Sequence, residues 1–313
     1  MLTPFTVIDF QEVPDMPKAN VRDYGATGAG SPNDDTAACQ AAIAAVEASG
    51  GGEVLFPAGT YWIPSGLAVN ADAVNLVGEG RGNTRLTGTP GVTTLVQIGG
   101  TRTSGPFRCG VRRMQLDTAA VGIHVGYGST NTILDELVMM SVTYAIRNVG
   151  DYTTNPVRGN QGTSIRFCEL TFTGIGIYNY CASEVYIHEV VLSGNQNAVG
   201  ARFDSGSNAV YASKMNILSC LYGFFVVDDA GISPNPTGII ANPSQFFLSS
   251  ILGDTSWTAG LYFDRCYQIM MHGCWGSGSR AGYGLVIGPG VDELEFNGGH
   301  IISNSSHGVL INN

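Results

Sequence analysis

Apolar and polar positions alternate in short bursts along most of the chain, and the bursts return at a near-constant interval. Segments of the form Gly, apolar, any, apolar stand at Gly122-Ile123-His124-Val125, Gly176-Ile177-Tyr178, Gly200-Ala201-Arg202-Phe203, Gly223-Phe224-Phe225-Val226, Gly260-Leu261-Tyr262-Phe263, Gly284-Leu285-Val286-Ile287 and Gly308-Val309-Leu310-Ile311. Ala145-Ile146-Arg147 takes the same place once. The successive spacings from Gly122 are 23, 31, 24, 23, 37, 24 and 24 residues, a period of about 24 with two long exceptions. Each period holds a second alternating run, at 165–172, 185–192, 210–218, 246–251 and 269–271. Alternation of this kind is the signature of half-buried strands, and a fixed period means a stack of similar units. Runs this short exclude paired-helix repeats, and a propeller blade needs about 40 residues and four strands. The expected fold is all-β, a right-handed single-stranded parallel β-helix.

A solenoid exposes an unpaired sheet edge at its ends, which has to be covered. At the N-terminal end the cover is predicted to be one α-helix. Asn33-Asp34-Asp35 supplies its N-cap, Cys39, Ala42, Ile43 and Val46 repeat at i, i+3, i+4 and i+7, and Gly50-Gly51-Gly52 stops it. The expected organisation is an arm over 1–19, a capping region with the first coils over 20–100, and the remaining coils over 101–313. The last segment reads as the first strand of a further coil, so that end is expected to continue or to be covered by another chain.

Composition narrows the function classes. Among 313 residues there are 43 glycines and only 13% charged side chains, with a formal net charge of -10. Fifteen scattered Lys and Arg residues do not make the basic footprint that nucleic acid requires. No apolar run of eighteen residues is present and 1–20 lacks the basic start of a secretory signal, so membrane insertion is not expected. Seven cysteines, Cys39, Cys109, Cys168, Cys181, Cys220, Cys266 and Cys274, form no CxxC pair or zinc-type spacing and read as reduced core thiols. Neither a metal nor another cofactor is expected.

Asn20-Val21-Arg22-Asp23-Tyr24-Gly25-Ala26-Thr27-Gly28, then Asn33-Asp34-Asp35-Thr36, then Gly52-Glu53-Val54-Leu55-Phe56-Pro57-Ala58-Gly59-Thr60-Tyr61 closely resemble the opening of pectate-lyase-superfamily β-helices. Leu76-Val77-Gly78-Glu79-Gly80 with Thr84-Arg85-Leu86 is similar to that family's second characteristic stretch. Gly28-Ala29-Gly30 departs from the Gly-Asp-Gly of many members. The group includes bacteriophage tailspikes and rhamnogalacturonase-like proteins. The resemblance therefore implies a pectin-lyase-like solenoid and a tailspike that binds and cleaves a bacterial surface polysaccharide, capsule or O-antigen. It also implies a homotrimer in the virion, assembled in the host cytoplasm and acting outside the cell, whose arm docks to other phage tail proteins. The alternative is a noncatalytic structural or receptor-binding virion component; a free bacterial lyase or hydrolase is the third reading. The resemblance, over 20–87, speaks to fold more than chemistry. The polygalacturonase pattern is not reproduced, because Asp228-Asp229 lacks its partners: His272 stands in Met-His-Gly-Cys and His300 in Gly-His-Ile. The calcium-assisted lyase pattern is not visible either.

Equal positions of successive coils stack, so aligned runs become columns of neighbouring side chains. Aligning Ile165, Val185, Val210, Phe246, Ile269 and Leu294 as an inward column places Cys168, His188, Ser213, Ser249, His272 and Asn297 outward, after Arg112 and Glu136. The adjoining column then holds Arg113, Glu169, Glu189, Lys214 and Ser250. Glu169 and Glu189 one rung apart would form an acid–base pair, or else a solvated ladder balanced by Arg166 and Lys214. A second column, Tyr180, Asp204, Asp228 and Asp264, ends the first strands, either capping turns or flooring a site. Insertions at 150–163 and 229–244 follow first strands three rungs apart and would wall a groove containing Asn179, Tyr180, Asp204, Ser205, Asp228 and Asp229. Glycoside hydrolysis needs two carboxyl groups roughly 5 to 9.5 Å apart, which Asp204 and Asp228 on adjacent rungs would satisfy. A lyase would use His188 or Tyr180 as base and Lys214 or Arg202 as the cation for a uronate. His124, His300 and His307 show no metal spacing. Of three tryptophans, Trp62 reads as core and Trp257 as the better sugar platform.

Overall fold

The computed structural model describes residues 16–89, 94–99, 105–150, 159–228, 242–277, 282–302 and 304–312. Residues 1–15 of the arm and most of both inserted segments, 151–158 and 229–241, lie outside the described residues.

The capping helix spans Thr36–Ala48, and its buried residues are Cys39, Ala42, Ile43 and Val46, the predicted apolar stripe. The acidic residues before it divide the work. Asp34 Oδ1 accepts from the Thr36 N–H at 2.9 Å where the chain enters the helix, while the carboxylate of Asp35, the N-cap residue, is turned away and accepts from the N–H groups of Thr27 and Gly28 at 2.6 and 3.1 Å. Side chains then tie the helix to the first coil. Gln40 both donates to and accepts from the Ala68 backbone, at 2.9 and 3.0 Å, and Glu47 Oε1 accepts from the N–H groups of Asn70 and Ala71. The second characteristic stretch serves the same corner: Glu79 accepts from the Ala58 N–H, and the Thr84 hydroxyl donates to the Phe56 carbonyl. The motif residues thus hold the cap, which explains why they report the fold.

Beyond the cap, one right-handed parallel β-helix follows. The long strands Ala182–Ser193, Asn208–Leu218, Ser244–Asp254, Tyr267–Ser277 and Asp292–Ile302 lie one on another in parallel register. The short strands Val199–Phe203, Tyr222–Val226, Ala259–Phe263, Tyr283–Ile287 and Val309–Ile311 do the same. The glycine of each short motif allows close approach. A Cβ on Gly176 would sit 2.5 Å from the Gly200 carbonyl oxygen and 2.6 Å from the Phe172 ring. Inside, Phe203 stacks on Phe224 at 4.8 Å and Phe246 meets both edge-on.

The long strands bend at residues with left-handed backbone, and one such residue recurs in the middle of every rung. In successive coils this is Arg113, Glu136, Phe167, Glu189, Lys214, Ser250, Gly273 and Gly298, with φ between 51° and 67°. The bend breaks the two-residue alternation: Ile187 is buried, His188 and Glu189 are not, and Val190 is buried again. That break corrects the expected alignment at one coil. Ile165 pairs with Ile187 and not with Val185, because Thr163, fully buried, occupies the inward place that Val185, Val210, Phe246 and Ile269 fill in the later coils. Arg166 therefore precedes His188 in the outward column, and Cys168 is buried. Asp135, paired with Arg112 and Arg166, takes the place expected for Glu136, and Phe167 takes the place expected for Glu169.

All seven cysteines are buried. Burial pushes the Cys168, Cys220 and Cys266 thiols up to about 12, so they are protonated and unreactive at neutral pH.

Two expectations follow from this packing. Gly176→Val forces atoms into the Gly200 rung and should destabilise the coil by about 3 kcal/mol, measured as a lower guanidinium midpoint. Burial, reinforced by the charge of Arg147, pushes His124 from 6.5 down to about 4. The unfolded chain then binds a proton that the folded chain refuses, so this residue costs stability as pH falls from 6.5 to 4. The cost is roughly 3 kcal/mol at most, and His124→Gln should flatten the acid limb of a melting-temperature profile by a corresponding amount.

Candidate functional site

The outward residues of the long strands form the clearest surface feature. Tyr186, Tyr211 and Phe247 pair in register and are 45%, 41% and 38% exposed. Their rings stack at 5.2 and 5.0 Å, with interplanar angles of 9° and 8°. Ser164 precedes them in the column, and Met270 and Glu295 continue it. Since each ring covers its neighbour, the free aromatic faces are those at the two ends, over the rungs of Ser164 and Met270, while ring edges and the tyrosine hydroxyls point outward.

Two residues along each strand runs a polar column: Arg166, His188, Ser213, Ser249, His272 and Asn297. Between the two columns lie shallow hollows of about 240 and 300 Å³ that share Phe247 and Ser249. They join into a groove over six rungs, about 24 Å along the solenoid axis at 4.8 Å per rung.

His188 is an imidazole of this groove with both ring nitrogens in contact with side chains. Its Nδ1 lies 2.8 Å from the Ser213 hydroxyl and its Nε2 lies 3.4 Å from Glu189 Oε1, with Phe167 edge-on to the ring at 5.9 Å. A carboxylate only accepts, so in the neutral imidazole the proton belongs on Nε2; Nδ1 then carries the lone pair and accepts from Ser213. Lys214 donates to Glu189 at 2.7 Å, and this bond holds the Glu189 carboxyl below its usual range. One rung away, Arg166 Nη2 contacts Asp135 Oδ2 at 3.0 Å; Arg166 Nε and Asp135 Oδ1 are buried without a hydrogen-bond partner among the described residues. The site holds two imidazoles, two cations, hydroxyls and stacked rings. No described group of three His, Cys, Asp or Glu side chains is placed to hold a metal.

The expected site residues separate into three places. His188, Glu189 and Lys214 come together in this groove. Glu169 does not join them: it pairs with Val191 across the rungs and contacts Arg81 at 3.2 Å, so the expected stacked pair of glutamates is replaced by two separate ion pairs. The strand-end column is also corrected. Tyr180, Asp204 and Asp264 share it, but Val227 holds the place assigned to Asp228. Asp204 is fully buried, receiving both Nε and Nη2 of Arg202 at 3.1 and 2.7 Å and the Ser205 N–H at 3.0 Å. Asp228, 6% exposed, accepts from the Ser205 hydroxyl at 2.5 Å. Asn179 is internal, part of an amide ladder that accepts from Asn148 at 2.7 Å and donates to Ser207 at 3.0 Å, and it does not reach a substrate surface. Arg202 lies between the rings of Tyr178 and Phe225, 5.7 and 5.8 Å from their centres. The loops expected to wall this region are largely outside the described residues. Trp257 lines a third region, a cleft formed by turns.

The aromatic ladder is what the sequence reading missed. Its signal was present in Val185-Tyr186-Ile187, Val210-Tyr211-Ala212 and Phe246-Phe247-Leu248, where an aromatic ring sits between two inward residues in three consecutive coils.

Comparison with known proteins agrees with this architecture. Mannuronan C5-epimerase AlgE1 of Azotobacter vinelandii is 47% identical over 72 residues, which is 21% of this chain and 5% of the epimerase, so the chain spans a small part of that relative. Among solved structures, the A-module of Azotobacter vinelandii mannuronan C-5 epimerase AlgE4 superposes with a TM-score of 0.58 at 20% identity, over 88% of this chain and 80% of that module. The N-terminal fragment of the bacteriophage Phi29 gene product 12 gives 0.60 at 17% identity, over 87% and 57%. Residues 18–242, most of the chain and all of the cap, match the family described as rhamnogalacturonase A/epimerase, pectate lyase-like, and the protein belongs to that family.

Proposed function

We propose that the protein is a bacteriophage tailspike component that binds an acidic bacterial surface polysaccharide, capsule or O-antigen, along the His188 groove and cleaves it by β-elimination. The observation that carries the chemistry is the imidazole held between Ser213 and Glu189 beside Lys214 and the tyrosine ladder. Removing the C5 proton of a uronate requires a base, a cation that lowers the cost of charge on the neighbouring carboxylate, and an acid for the departing oxygen. His188 Nδ1 takes the proton. The C5–H electron pair becomes the C4–C5 double bond, the C4–O bond breaks, and the hydroxyl of Tyr186 or Tyr211 protonates the leaving oxygen. Lys214 and Arg166 hold the carboxylate, and the imidazolium that forms is stabilised by Glu189. Two-carboxylate hydrolysis has less support here, because Glu189 is engaged by Lys214 and Asp135 by Arg166.

The polysaccharide class is supported by the family and by the mannuronan C5-epimerase relatives, and the phage setting by the likeness in fold to the Phi29 protein. A homotrimer attached to other tail proteins through the arm belongs to the same proposal. A noncatalytic receptor-binding component is the second reading, and it is favoured by the stacked rings, which form a preordered strip able to bind without any chemistry.

The test is incubation with uronate-containing capsular polysaccharides, following chain length and the ultraviolet absorbance of C4–C5 unsaturated ends. His188→Ala should lower the rate by about 100-fold or more while glycan binding persists. Glu189→Gln should lower the rate while leaving the melting temperature at the wild-type value, since an exposed ion pair adds little stability. Chain shortening without unsaturated ends would eliminate the β-elimination step, and binding without any product would establish the second reading.

A further inference from the structure

We infer that the cleft at Trp257 is a second carbohydrate subsite, separate from the His188 groove, and that it takes a neutral sugar residue. The cleft, of about 430 Å³, is lined by Asn195, Gln196, Asn197, Ser219, Thr255 and Trp257. That is within the span of about 300 to 1,000 Å³ usual for small-molecule sites.

Three successive turns build it, each following a long strand: the first contributes the three amides, the second Ser219, the third Thr255 and Trp257. The scaffold is fixed by its own hydrogen bonds. Asn195 Oδ1 accepts from the Asn197 N–H at 2.9 Å, the Ser219 N–H donates to Thr255 Oγ1 at 2.9 Å, and the Trp257 N–H donates to the Cys220 carbonyl at 2.8 Å. The amides of Gln196 and Asn197 stand on exposed residues, and Trp257 is half-buried beside them.

The chemistry of the lining selects the ligand. Amide forks pair with vicinal hydroxyls through one donor and one acceptor, hydroxyl side chains do both, and an indole packs on the apolar face of a sugar ring. None of the six residues is ionisable, so a uronate or phosphate would be desolvated there without a counter-charge from this lining. Backbone strain falls at the same place: Ser219 and Thr255 hold φ of 57° and 51°, where a β-branched residue is rarely found and glycine would fit without strain. Retaining hydroxyl side chains there keeps two donors at the cleft.

The subsite does not depend on the proposed chemistry of the groove. It lies beyond the far end of the same strands, starting five to six residues, roughly 17 to 20 Å of extended chain, after the bends at Glu189, Lys214 and Ser250. A glycan chain of mixed neutral and acidic residues would therefore have two points of attachment on three consecutive coils.

Saturation-transfer NMR of the whole chain, with glucose, galactose, mannose, rhamnose and N-acetylglucosamine as probes and glucuronic and galacturonic acids as acidic comparators, tests this. At least one neutral sugar should show transfer that Trp257→Ala abolishes and that Gln196→Ala weakens about tenfold in Kd, while Trp275→Ala, at an exposed tryptophan of the strand Tyr267–Ser277 that does not line the cleft, and His188→Ala leave it unchanged. The exposed Gln196 site keeps the test valid where the tryptophan variant misfolds. Three outcomes would overturn the inference: no neutral sugar giving transfer that depends on Trp257 or Gln196, stronger transfer to the acids through the same residues, or loss of the neutral-sugar signal in His188→Ala.

Discussion

Parallel pairing of each rung with the next is the constraint on which this molecule depends. Strand hydrogen bonds fix the axial spacing, but the register holds only where the inward side chains of successive coils fill the same tube. Phe203, Phe224 and Phe246 do so by meeting face and edge, and the glycine column from Gly122 to Gly308 lets the short strands cross close to the long ones. A side chain at Gly176 would separate two rungs and every contact stacked upon them. The groove inherits its geometry from that register, because Tyr186, Tyr211 and Phe247 stack at the spacing of the backbone that carries them.

The electrostatics follow from the same order. Charged residues of the outward columns are paired across or along rungs, as with Arg166 and Asp135 or Lys214 and Glu189. Exposed pairs of this kind add little stability. Their effect is positional: Glu189 directs the proton of His188 to Nε2 and leaves Nδ1 facing the Ser213 hydroxyl of the next rung. Buried polar residues behave differently. Asn148, Asn160 and Asn179 exchange amide hydrogen bonds inside the solenoid, and there the satisfaction of every donor matters more than charge.

The frame was legible in the sequence because two signals agreed. Glycine-led motifs marked the short strands at a period of about 24, and the stripe Cys39, Ala42, Ile43 and Val46 marked the cap. The columns were less legible for reasons that can be named. One polar residue, Thr163, stood in an inward place and shifted the apparent register of its coil by two residues, which drew Cys168 and Glu169 into columns they do not occupy. A left-handed bend residue breaks alternation without leaving a residue-type signature, since Arg, Glu, Phe, Lys and Ser all fill it. Asp204, Asp228 and Asn179 read as a site because polar residues at strand ends look alike whether they face water or are internal; burial and partners separate the two. The tyrosine ladder was readable but required three coils to be compared at once.

The bend column has a wider consequence. Its side chains have no role inside the tube, and the rung above does not restrict their identity, since Arg113, Glu136, Phe167, Glu189, Lys214, Ser250 and Gly273 occupy equivalent places. The solenoid is in this sense a ruler with one interchangeable mark per division. A linear ligand lying along it would read side chains at a constant pitch, and altering what is read would need a change at single marks, leaving the ruler itself intact.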